Sequence, residues 1–109
     1  MQYNMKSKRG INELEKEQAE RLDMTRNPLS GGGTHKNDMR NDMALVESKF
    51  TSADTQITVK RKDIEDLDIN AFDYNPPRIP AMLISINGFE RMVISVEDFM
   101  YYIRLLRKE

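Results

Sequence analysis

Cysteine is absent from this chain and histidine occurs once. Those two shortages remove disulfide scaffolds, Cys-rich zinc sites, thiol catalysis and every mechanism that needs a pair of histidines. Long apolar runs are missing as well. No stretch approaches the ~20 residues of a membrane-spanning helix, and residues 1–10, MQYNMKSKRG, lack the apolar segment of a secretory leader. The expectation is a cytoplasmic protein with no membrane association. A basic excess is the third absence: Lys and Arg total 17 against 18 Asp and Glu, a net charge of −1, which argues against a protein that coats nucleic acid nonspecifically. Distribution matters more than the total, however. Lys6, Lys8 and Arg9 crowd one end, and Lys60, Arg61 and Lys62 are consecutive. With 109 residues there is room for one domain, whose modest core oligomerisation would help to stabilise. Residues 1–9 read as a basic flexible arm or the frayed start of a helix, and 10–109 as a single domain.

Periodicity and turn chemistry give the elements. From Gly10 to about Met24, Ile11, Leu14, Ala19 and Leu22 recur at helical spacing among charged residues. Glu15 interrupts their stripe, and a carboxylate so near the core calls for a cation or a metal. Residues 26–34, RNPLSGGGT, stop this helix at Pro28 and lead through a flexible triple-glycine loop. Asn41 and Asp42 are turn formers, so the chain folds back between Arg40 and Ala44 into a strand over 43–50. Residues 55–61, TQITVKR, alternate Ile57 and Val59 with polar neighbours, the pattern of a third, half-buried strand. A helix with Ile64, Leu67, Ala71 and Phe72 on its apolar face follows, ended by Asn75-Pro76-Pro77. The run 80–87 is almost continuously apolar, as in a strand covered on both faces, and Asn87-Gly88 turns it back into 89–96. Ser95 with Asp98 then opens a last helix bearing Phe99, Met100, Ile103 and Leu106. The order is αβββαββα, an α/β fold.

Within this frame lies a single (D/E)xK tripeptide, Glu47-Ser48-Lys49. Residues i and i+2 of a strand share one face, so the Glu47 carboxylate and the Lys49 ammonium project side by side. A chain with 32% charged residues produces such tripeptides by chance, and alternating charge often marks only a solvated strand face. The fold-back at Asn41-Asp42 adds Asp38, which it sets opposite Glu47. Directly opposed residues have Cβ atoms roughly 4.5–5.5 Å apart, close enough for two carboxylates to share a divalent cation. Asp42 would sit at the hairpin tip, on the order of 10–15 Å away along the strand. Asp38 is therefore the expected ligand.

In order along the chain, a helix bearing Glu15, the stretch 25–33 (TRNPLSGGG), the element 36–38 (KND), the strand 46–49 (VESK), residues 57–67 and the proline-led strand 80–86 resemble the Holliday junction resolvases. These are members of the PD-(D/E)xK, or restriction-endonuclease-like, nuclease superfamily, and the likeness is to the small phage and archaeal type. Two positions depart from that pattern. Asn37 stands where glycine is common, and Ser48 where cysteine often is.

The resemblance implies an αβββαβ core with a mixed central sheet flanked by helices, here extended by one strand and a C-terminal helix. It also implies a metal-dependent, structure-selective DNA endonuclease that resolves four-way junctions by phosphodiester hydrolysis. Asp38, Glu47 and the Ser48 carbonyl would hold Mg²⁺ or Mn²⁺, since oxygen ligands with retained waters suit hard cations. Lys49 would orient or activate the attacking water, and Glu15 would reach the metal through a water or a second ion. Each nicked strand would keep a 5′-phosphate. Ser30, Gly31, Gly32 and Thr34 would offer backbone N–H groups and hydroxyls to phosphate, with Arg26, Lys36, Lys60, Arg61 and Lys62 supplying positive charge; the same loop also reads as a plain connector. His35 is more simply a bystander. Symmetric cutting of a branched DNA implies a two-fold homodimer; no small-molecule substrate is expected, and the likeness to the small phage type is compatible with a phage-encoded protein acting in the host cytoplasm. The alternatives are a less specific nuclease of branched or duplex DNA with this fold, and a noncatalytic DNA-binding or assembly protein.

Overall fold

The structure is a computed structural model and describes residues 8–26, 38–53 and 55–108. It is an α/β fold built on a five-stranded mixed sheet. The elements are α1 (Lys8–Arg21), β1 (Thr25–Arg26), β2 (Asp38–Arg40), β3 (Ala44–Thr51), α2 (Arg61–Phe72), β4 (Ile79–Ile86), β5 (Phe89–Val93) and α3 (Val96–Arg107). Strands lie in the order β1-β2-β3-β4-β5, antiparallel throughout except for the parallel pair β3–β4, which α2 connects.

Period-2 alternation divides the core into two layers. Met39, Val46, Ala81 and Leu83 face Ala19 of α1, with Leu22 and Met24 packed alongside. Leu45 and Met82 face Leu67 and Ala71 of α2, with Val59, Ile64, Ile84 and Val93 around them. One helix therefore covers each face. As the unbroken apolar run implied, β4 is interior, with Ala81, Met82 and Leu83 all buried.

Several boundaries differ from the sequence expectation. The first helix already includes Lys8 and Arg9, and residues 1–7 of the expected arm lie outside the described residues. That helix is stopped by its own C-terminus, ahead of Pro28. Asp23 takes a left-handed conformation (φ 55), and the Met24 N–H bonds the Ala19 carbonyl at 2.8 Å, the six-to-one bond of a Schellman motif.

The strand expected over 55–61 does not form. Residues 55–60 carry no regular structure and α2 begins at Arg61. Both edges of β3 are occupied, by β2 and β4, so this segment packs Val59 beneath α2 instead of joining the ladder. The third strand of the expected order is supplied by β1, and the string αβββαββα is reproduced with a different member. Phe72, expected on the apolar face of α2, is 73% exposed. It follows Ala71 by one residue, about 100° around the helix, and turns away from the sheet.

Candidate active site

The turn between β2 and β3 sets the site. Asn41 Oδ1 accepts the N–H groups of Met43 and Ala44, each at 2.9 Å, and the Asn41 N–H bonds the Ala44 carbonyl at 3.1 Å. This turn fixes the register Arg40↔Leu45, Met39↔Val46, Asp38↔Glu47. Since Met39 and Val46 point to α1, Asp38 and Glu47 both point to the α2 face, and so does Lys49 two residues on.

Asp38 is only 4% exposed, and Glu47 is half-buried with its Oε2 atom enclosed. They open into a cleft of about 480 Å³ whose far wall is α2, contributed by Asp63, Asp66, Leu67, Ile69 and Asn70. An adjoining hollow of about 270 Å³ shares Asp38 and Asn70 and adds Tyr74. Lys49 Nζ lies 3.3 Å from Asp63 Oδ2.

Backbone direction adds a third oxygen. The Ala44 carbonyl bonds Asn41 on the β2 side, while the Met43 and Thr51 carbonyls accept from Ile79 and Asn87 on the β4 side. Carbonyls alternate along a strand, so that of Ser48 points to the β2 side, one position beyond the Asp38↔Glu47 pair. Two carboxylates and one carbonyl are a hard-oxygen donor set. Mg²⁺ is commonly held by one or two carboxylates plus substrate phosphate and water, without a full protein cage. The residues present fit such an ion; among the described residues no group of three or more Asp, Glu, His or Cys converges on one point.

Glu15 and Arg26 lie elsewhere. Arg26 pairs with Met39 across β1–β2 and so shares the α1 face, where its guanidinium lies 3.1 Å from Glu15 Oε1 and 3.3 Å from Asn12 Oδ1. The described residues thus put Glu15 across the sheet from Asp38 and Glu47, with the cation that its burial calls for supplied by Arg26. Glu15 is 3% exposed, and burial pushes its carboxyl above the ordinary range, with Arg26 drawing it partly back. Its Oε2 atom has no hydrogen-bond partner among the described residues.

Lys60, Arg61 and Lys62 cap and open α2, all exposed. They stand directly before Asp63 of the cleft wall. Lys62 pairs with Asp66 at 2.9 Å and Arg61 with Glu65 at 3.6 Å. Ser30, Gly31, Gly32, Thr34, His35 and Lys36 lie outside the described residues.

Three contributors were missed in the sequence. Asp63 was hidden as an ordinary first-turn acid of a helix. Arg40, two residues from Asp38 on the same face, stacks its guanidinium 5.8 Å from the Tyr74 ring centre, with Arg78 at 5.2 Å from that ring. Cations therefore stand beyond the carboxylate pair in both strand directions, Lys49 one way and Arg40 the other. Gln18 is wholly buried and accepts the Ser48 hydroxyl at 2.6 Å, while its amide donates to Glu90 at 3.0 Å. Its signal was legible: it follows Leu14 by four residues and Glu15 by three.

Compared with protein-family models, with curated proteins and with solved structures, the chain finds no match. Among the described residues, no helix is long and apolar enough to cross a membrane.

Proposed function

We propose that this chain is a metal-dependent DNA endonuclease with a restriction-endonuclease-like αβββαβ core, cutting branched DNA and above all four-way junctions. The observation that carries the reading is the cross-strand pair Asp38↔Glu47 lining one cleft, with Lys49 two residues along the same face and 3.3 Å from Asp63 of the cleft wall. Structural strands rarely bury one acid against another; a shared divalent cation offsets the repulsion that such a pair meets.

Asp38, Glu47 and the Ser48 carbonyl would hold Mg²⁺ or Mn²⁺. What the ion supplies when bound is positive charge at the scissile phosphate and acidification of a water. Lys49 then orients the attacking water and meets the charge that builds on the phosphoryl oxygens. Asp63 holds the Lys49 ammonium in place. Arg40, Lys60, Arg61 and Lys62 meet flanking phosphates, so that an overall acidic chain presents local positive charge where the strand lies. Cutting both strands of a junction symmetrically requires two copies related by a two-fold axis.

The test uses wild type, Asp38→Asn and Lys49→Ala with four-way junction, flap and linear duplex DNA, in Mg²⁺, Mn²⁺ or EDTA. Junction cleavage by wild type alone, abolished by EDTA, is the expected result. Equal cutting of all three substrates reduces the proposal to a less specific nuclease. Tight junction binding without cleavage in any metal replaces it with a noncatalytic DNA-binding protein.

A further inference from the structure

The smaller of the two hollows has no task in the hydrolysis derived above. It holds about 270 Å³ and is lined by Asp38, Leu45, Asn70, Asp73 and Tyr74. That is below the roughly 300–1,000 Å³ of pockets for drug-sized ligands, so its occupant is one ring system and not a length of strand. The inner wall is apolar and held in place: Leu45 is buried, and Tyr74 packs against the same layer. Arg78 backs the Tyr74 ring at 5.2 Å from its centre, and the Arg78 Nε donates to the Asn41 carbonyl at 2.8 Å. The remaining walls are polar. Asn70 offers an amide, with donor and acceptor side by side, while Asp38 and Asp73 offer carboxylates, which when ionised only accept. Two carboxylates repel a phosphate. What fits is a flat, uncharged group with an apolar face and hydrogen-bond donors on its rim.

We propose that this hollow takes one nucleobase bearing an exocyclic amino group, turned out of the DNA beside the phosphate held at Asp38 and Glu47. The assignment rests on the nuclease reading of that pair, and it names what makes the cleft choose branched DNA. Asp38 and Asn70 belong to both hollows, so a base in the smaller one hangs from a nucleotide whose phosphate lies at the larger. Arg40, two residues along β2 from Asp38 on the same face, has its guanidinium 5.8 Å from the Tyr74 ring centre and meets the backbone that carries the base. The base lies against Leu45 and Tyr74. Its amino group donates to the Asp73 carboxylate, and the Asn70 amide meets the neighbouring ring nitrogen. In a linear duplex a base reaches the hollow only after losing its pairing partner and both stacking neighbours, whereas a base at a branch point has fewer contacts to lose. The cost of extrusion falls where strands part, and selectivity for branched DNA follows.

The probes are a four-way junction with one unpaired adenine at the branch point and the same junction with thymine or an abasic site there. In EDTA the full chain is expected to bind the adenine junction about tenfold more tightly than the abasic one, with the thymine junction also weaker than adenine. Tyr74→Phe should keep the difference between adenine and abasic. Tyr74→Leu, which retains apolar packing, should lose that difference while its circular dichroism spectrum stays that of wild type, and in Mg²⁺ it should cut junction and linear duplex more nearly alike. Equal wild-type affinity for the adenine and abasic junctions, thymine bound as well as adenine, or a Tyr74→Leu protein still sensitive to the missing base would each overturn the proposal. Junction cleavage with no dependence on the base removes the base site and leaves the nuclease reading standing. Base-dependent binding without cleavage in any metal does the reverse.

Discussion

Lys49 on β3 reaches the first turn of α2, where its Nζ stands 3.3 Å from Asp63 Oδ2. With the two side chains 29% and 37% exposed, the pair adds at most about 1 kcal/mol to stability. Its value is positional: it fixes the ammonium on the side of the cleft where Glu47 opens.

Lys49→Ala is therefore expected to lower single-turnover junction cleavage by about 100-fold or more, with junction affinity almost unchanged. Asp63→Asn should lower the same rate by about tenfold and leave the melting temperature close to wild type. A loss of affinity equal to the loss of rate in Lys49→Ala would reassign the lysine to DNA binding.

Asp38 and Asp42 separate the proposed ligand from a turn residue. Asp38 is 4% exposed opposite Glu47, whereas Asp42 is exposed in the turn. Asp38→Asn should abolish both cleavage and the heat of Mn²⁺ binding in calorimetry. Asp42→Asn should change neither by more than about twofold. Inactivation by Asp42→Asn alone would disprove the assignment of the ligand.

Two buried serines make opposite predictions on the α1 face. The Ser48 hydroxyl donates to Gln18 Oε1 at 2.6 Å, so Ser48→Ala leaves a buried acceptor unmet and should cost about 1–3 kcal/mol in urea unfolding. Ser85 Oγ is buried with no hydrogen-bond partner among the described residues. Ser85→Ala is expected to be neutral or mildly stabilising, since the hydroxyl has already lost its water.

Glu15 and Glu90 should oppose each other in the pH dependence of stability. Burial raises Glu15 above its usual 4.5, so the folded state binds its proton more tightly and stability from this group falls as pH rises above 4.5. The Arg21 hydrogen bond, aided by that from Gln18, holds Glu90 below 4.5 against burial. Its contribution is present above 4.5 and lost as pH falls through the lower folded value. As pH rises above 4.5, Glu15→Gln should gain stability relative to wild type, whereas the deficit of Glu90→Gln should be full above 4.5 and shrink as pH falls below it. Parallel slopes for the two variants in chemical denaturation would contradict this assignment of signs.

Much of the site was legible because its determinants are local. Asn41 and Asp42 fix a short turn, a short turn fixes the register, and register pairs Asp38 with Glu47. The same holds for the Asn87-Gly88 hairpin, with φ of 46° and 90°, and for Ser95, whose Oγ accepts the Asp98 N–H at 3.0 Å. Asp63 as the partner of Lys49 was not legible: helix position shows that an acid lies in a first turn, not which strand that turn will meet.

By itself the sequence determined the alternation of faces, the hairpins, the Ser95 helix cap and the burial of an acid at Glu15, since each follows from residues only a few positions apart. Only the tertiary structure decided that 55–60 would stay out of the sheet, because a strand needs a free edge and β2 and β4 had taken both edges of β3. It alone put Glu15 and Arg26 on the layer opposite Asp38 and Glu47, and left Val96, Phe99 and Leu106 of α3 exposed. Which layer an element joins depends on the competition among distant apolar surfaces for burial, and no local pattern encodes the outcome of that competition.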